Sequence, residues 1–383
     1  MMKKIVIMLM LFILIANQTI VQASTIDDNT QKDTNEVEQL YTYITNMKTK
    51  YELLKDLDIK SYIQDFMKTG NGKFSFQKLC KALVGYFFSE VIASFKLMIM
   101  LLIICVICAL LTNLQRAFSN ESLSNIAYFA CYSLIIIIVA KSFYIGVDEI
   151  KTATNNLTDF MAALVPVLLT LLAAGGGIVQ STIMDPIIIL AINVAARIFM
   201  DVLLPLILIS FVLQFVNNIS EEYKVDRLAK LLSQIVLWIQ GLVMTVFIGI
   251  VTIRGINAKS IDEVTAKTAK FAVDNFVPIV GKALSDAIST VVGYSVVLKN
   301  AISSIGLIVL VAIVVFPIIK VLALALIHKL TAALVQPISD KRIVNCINAA
   351  GDTLILLMSC LISISVMFFI MIAIIASSGN VIS

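Results

Sequence analysis

Apolar residues run almost unbroken from about residue 82 to residue 376, interrupted only by short polar breaks and a few charges. Such a stretch predicts membrane-spanning helices, because a hydrocarbon core of roughly 30 Å is crossed by about 20 predominantly apolar residues. Hydropathy places spans at 97–114, 126–144 and 160–174, each followed by a polar or glycine break. From 178 to 218 the apolar character barely pauses. As one helix this region would rise about 60 Å, twice the core, so a fold-back is expected between Phe199 and Pro205. Further spans follow at 232–253, 305–327 and 354–376. The expected fold is an all-α polytopic membrane protein with about 7–8 transmembrane helices.

The N-terminus has a different pattern. Lys3 and Lys4 precede an apolar run from Ile5 to Ala16, and a polar stretch then leads to Val21-Gln22-Ala23. The run rises only about 18 Å, too short to cross the core, and its form is that of a secretory signal peptide over 1–23. Cleavage after Ala23 puts the mature N-terminus, Ser24, outside the cytoplasm. Residues 24–81 form an extracytoplasmic segment, in which Val37, Leu40, Ile44, Met47, Tyr51 and Leu54 share one helical face. The membrane domain is 82–383.

One part of that domain resists assignment. The stretch 254–304 is too polar for an ordinary span and too apolar for a solvated loop, so it is read as re-entrant or interfacial. Alternation of spans from an external N-terminus places Lys224, Arg227, Lys230, Lys329, Lys341 and Arg342 in the cytoplasm, as the positive-inside rule requires. It also places Arg254, Lys259, Lys267, Lys270, Lys282 and Lys299 outside, against that rule, so either one span is miscounted or the stretch is re-entrant.

Composition strengthens the membrane reading: 60% of residues are hydrophobic and 14% charged, and the mean hydropathy is +0.98. The polar segment 24–81 is nearly balanced in charge, which gives no sign of nucleic-acid binding. Cys105, Cys108, Cys131 and Cys360 lie inside apolar spans, with Cys80 and Cys346 near span edges, so they read as packing residues. His328 is the only histidine, which rules out a histidine cluster or relay built from this chain. The glycine-lysine pairs Gly72-Lys73 and Gly281-Lys282 lack the spacing and the hydroxyl residue of a phosphate-binding loop, and no nucleophile has a recognisable base. No enzyme activity, cofactor or metal is expected.

Charges and breaks within the apolar region are what remain to carry function. Arg197 and Asp201 are four residues apart, within pairing reach on a helix. Lys320 follows Pro317 by three residues, where it can reach backbone carbonyls freed by the proline or extend to the surface. Asp274 lies in the stretch 269–287, a candidate lining for a cavity. Gly175, Gly176, Gly177, Pro186, Pro205, Pro278 and Pro317 are candidate helix breaks.

Four strings in order then point to a family: LVPVLLTLLAAGGG at 164–177, DPIIILAINVAARI from Asp185, AKFAVDNFVPIVGKALSDA from Ala269, and FPIIKVLALALIHKLTAALVQPI at 316–338. With the N-terminal signal and the chain length, they make the sequence resemble the stage III sporulation protein AE family of endospore-forming bacteria. The resemblance implies a multipass protein of the mother-cell membrane around the engulfed forespore, acting after engulfment. It implies as partners the other stage III sporulation A-operon proteins and, through them, the forespore stage II sporulation protein Q, in a secretion-like channel complex. It supplies no catalytic residues.

Three functional readings follow. The chain is the membrane core of that channel, with Arg197, Asp201, Lys320 and the stretch 269–287 along a wet path. Alternatively it is a scaffold that anchors ring-forming partners without conducting, or an independent secondary transporter. No inverted repeat supports the last.

Overall fold

The computed structural model describes residues 76–117, 121–219, 225–276 and 281–378, together with helical positions Thr42, Ile44, Thr45 and Ile63. The expected signal peptide, most of the segment 24–81 and Pro278 lie outside the described residues. Among the described residues the regular structure is entirely helical: α1 (Phe76–Ala117), α2 (Glu121–Ala174), α3 (Ile178–Arg197), a π-helical turn (Ile198–Leu203), α4 (Leu204–Ile219), α5 (Asp226–Phe276), α6 (Gly281–Val335) and α7 (Lys341–Ser377).

Local chemistry sets the helix ends. α2 stops at Gly175-Gly176-Gly177, where the Gly177 N–H donates to the Leu172 carbonyl (2.9 Å) and the Gly176 N–H to that of Ala173 (3.0 Å). This bonding pattern closes a helix around a left-handed residue, here Gly176 at φ +91°, which a side chain rarely adopts. At the other end of the molecule α6 gives way to Gln336-Pro337, and α7 restarts behind Asp340, whose carboxylate accepts from the Arg342 N–H at 2.8 Å.

Packing follows from antiparallel pairing of the long helices. Leu164 of α2 lies against Gly306 of α6, and Glu149 is bonded to Lys320 further along the same pair. α7 runs back along α6, with Gly351 against Ala325 and Lys329, and Leu354 fits against Gly146 of α2. At Gly306, Gly146 and Gly351 an added Cβ would come within 2.9 Å of a neighbour, so each glycine sets a close helix approach. α2, α6 and α7 form the interior, α1 packs on α2 and α6, and α3, α4 and α5 close the other side.

Six helical segments among the described residues are long and apolar enough to cross a membrane: Leu83–Leu111, Tyr128–Ala174, Pro186–Asn217, Asp226–Ile253, Ser289–Val335 and Lys341–Ser377. The expectation of about 7–8 spans divides two of these segments. The stretches 126–144 and 160–174 belong to one helix, because the polar region between them keeps a helical inner face of Val147, Ile150, Ala153, Leu157 and Phe160. The fold-back expected between Phe199 and Pro205 is absent; the backbone there is a π turn that joins α3 to α4. Within 254–304, α5 continues to Phe276 and α6 begins at Gly281.

Candidate functional site

Midway along α2, between apolar blocks at 128–140 and 160–174, the outer face becomes polar. Lys141, Tyr144, Asp148, Lys151, Thr152, Asn155 and Asp159 are all exposed, while Ser142, Gly146, Ile150, Leu157 and Phe160 on the inner face are buried. The polar positions recur at three- and four-residue steps and form a stripe about 27 Å long. On the insertion scale each charge costs about 2.5–3.5 kcal/mol at the centre of a bilayer, so Lys141, Asp148, Lys151 and Asp159 cannot all face acyl chains. Sequence reasoning missed this site by treating the polar stretch as a break between spans; the period-3.6 spacing was the signal that could have found it.

Beside the stripe, the Lys320 ammonium bonds the Glu149 carboxylate at 2.7 Å, with the two side chains 32% and 30% exposed. Lys320 therefore neither caps the carbonyls freed by Pro317 nor extends to the surface alone; it crosses from α6 to α2. Phe316, on the same turn, meets the edge of the Tyr86 ring at a centroid distance of 4.7 Å, and Tyr86 is in electrostatic reach of Glu90 and Glu149. Three helices thus meet around one partly exposed ion pair. A pair this exposed contributes about 0–1 kcal/mol, but losing one partner leaves the other charge uncompensated.

The π turn lies on the far side of α2. Leu204 donates to Phe199 five residues back, and Pro205, which has no N–H, follows at once. A widened turn accommodates the proline ring without ending the helix. Arg197 immediately precedes this turn and Asp201 lies within it, and both are exposed. Among the described residues no ion pair or hydrogen bond joins them, because a four-residue step stacks side chains on an α-helix and the π turn widens that step. Phe199 points inward with Ile150, Thr154, Leu357 and Cys360.

The remaining candidates fall into place around this belt. Pro186 and Pro317 lie inside α3 and α6, and Pro205 inside α4, so none ends a helix; only the glycines at 175–177 sit at a helix end. Asp274 is carried by α5.

Polar side chains elsewhere tie helices together. Gln240 of α5 donates to the Ser359 carbonyl (3.0 Å) and the Ser363 hydroxyl (2.5 Å) of α7. Lys329 pairs with Asp352 at 2.6 Å, and the Tyr132 hydroxyl donates to the Phe215 carbonyl at 2.9 Å. His328 is buried, its Nδ1 at 2.7 Å from the Leu324 carbonyl, and buried Lys299 donates to the Ser378 carbonyl at the end of α7. Among the described residues no three His, Cys, Asp or Glu side chains converge in a way that could hold a metal ion.

Comparison with known proteins gives two further findings. Residues 57–379 match the protein family described as Stage III sporulation protein AE. The chain is 34% identical, over 345 residues, to the Bacillus subtilis (strain 168) protein named Stage III sporulation protein AE, covering 90% of this chain and 86% of that one. No solved structure matches the chain.

Proposed function

Since this chain belongs to the stage III sporulation protein AE family, and so has a role in sporulation, we propose that it is the polytopic membrane core of a channel-like complex between mother cell and forespore. It works without catalysis, in the mother-cell membrane around the engulfed forespore. Its partners are the other stage III sporulation A-operon proteins and, through them, the forespore stage II sporulation protein Q. The observation that supports a conduit over a pure anchor is the Glu149–Lys320 pair, an ion pair left about one-third exposed between α2 and α6, next to the polar stripe of α2. A scaffold needs no ion pair there, and an apolar pair of similar volume would hold α2 to α6 at least as well.

Replacing Lys320 by Met and Glu149 by Gln tests this reading. A conduit loses heat-resistant spores while the tagged protein still co-purifies with its partners. If the complex itself falls apart, or if spores form normally, the charges serve the scaffold or nothing. Normal spores from a clean deletion strain would refute the sporulation complex altogether and favour an independent transporter.

A further inference from the structure

We propose that the polar stripe at 141–159 of α2 faces a water-filled lumen, and that further copies of this chain complete the wall of that lumen. This deepens the conduit reading above and rests on it. The stripe is exposed along its whole length, so no described part of the chain covers it. On its own helix it is bordered by exposed Leu134 and Ile137 on one side and, on the other, by the apolar block that runs to the Gly175 turn, most of which is buried against the rest of the bundle.

That block rises roughly 22 Å and the one before the stripe roughly 20 Å, each short of a 30 Å core. Centring the bilayer on the later block draws Asp159 into hydrocarbon depth, and centring it on the earlier block draws Lys141 in. A placement between them takes in the whole stripe.

Direct contact between two stripes does not solve the problem. Copies inserted in one membrane share one orientation, so a two-fold pairing of parallel helices sets Asp148 against Asp148 and Lys151 against Lys151. An antiparallel pairing would match Lys141 with Asp159, but it needs an inverted copy. The arrangement that keeps like charges apart, keeps water on them and keeps lipid away is a closed ring of copies, each presenting its stripe to a common axis. The signs alternate along the stripe from Lys141 to Asp148 to Lys151 to Asp159, so such a lumen carries no single charge along its length.

Cysteine accessibility in membranes from sporulating cells tests the idea. The native cysteines are replaced by alanine, and single cysteines are placed at Thr152→Cys and Asn155→Cys, which leave every charge in place. The lipid-facing controls are Ile103→Cys and Ile137→Cys. With a membrane-impermeant maleimide the stripe positions are expected to react at least tenfold faster than the controls. A bifunctional thiol reagent should link Asn155→Cys between copies of this chain. Stripe cysteines as slow as the controls overturn the lumen, and so does a fast reaction with no link between copies. A link only to a different protein overturns the homomeric wall. If either result appears in strains that still form spores, the lumen fails while the sporulation role and the Glu149–Lys320 test stand on their own.

Discussion

α1 and α7 have the same mean hydropathy in their membrane-spanning segments, 2.8, yet the most apolar window of α7 is 56% buried in protein and that of α1 only 28%. Apolarity therefore does not separate the lipid-facing wall of this molecule from its interior. In a bilayer the acyl chains are as apolar as leucine, so transfer from lipid to protein gains little, and close packing and polar contacts decide which helix goes inside. α7 carries the means for both: Gly351 against α6, and Ser359, Cys360 and Ser363 around Gln240. α1 instead presents Ile92, Ile99, Ile103 and Leu110 outward.

The contrast is sharpest at Gly351. Gly351→Leu is expected to lower the yield of folded protein severely, because its Cβ alone would lie 2.9 Å from Lys329 Cγ and 3.2 Å from the Ala325 carbonyl. Overpacking of this kind costs about 1–3 kcal/mol or more, visible as a lower melting temperature or aggregation in detergent. Gln240→Leu should follow with a loss of about 1–2 kcal/mol, since it removes the interhelical hydrogen bonds that join α5 to α7. Thermal unfolding in detergent, compared with Ser363→Ala and the double variant, is expected to show coupling between Gln240 and Ser363.

Smaller effects are expected on the outer helices. Charge reversals at Arg197 and Asp201 should add independently, with a coupling below about 0.5 kcal/mol, because nothing joins the two side chains across the π turn. Restoration of folding by the double reversal would show a pair that the structure does not contain. Ile103→Ala on α1 should change stability by no more than about 0.5 kcal/mol, as at an ordinary exposed site. A loss as large as that of Gly351→Leu would mean that α1 is buried against protein, and the comparison between the two helices would fail.

Much of the fold was legible in the chain. Among the described residues hydropathy marks part of each of the six segments that are long and apolar enough to cross a membrane, since each is defined by its own composition, and the glycines at 175–177 mark a real helix end because Gly176 needs a left-handed backbone. What hydropathy could not show was continuity. A window average reads the polar stretch of α2 as a loop, although its inner face from Val147 to Phe160 stays apolar at helical spacing. Likewise an overlong apolar run suggested a fold-back between Phe199 and Pro205, where a π turn before Pro205 absorbs the missing N–H. Lys320 stood out by its place in an apolar run, but its partner Glu149 lies 171 residues away and only the antiparallel register of α2 and α6 brings them together.

The central claim is that this pair across α2 and α6 serves function rather than packing, and exchanging its charges tests that most directly. Heat-resistant spore counts should fall at least tenfold in the single variants Glu149→Lys and Lys320→Glu and recover in large part when both are combined, with protein levels unchanged. Single variants that sporulate like the wild type, or a double variant no better than either single one, would contradict it.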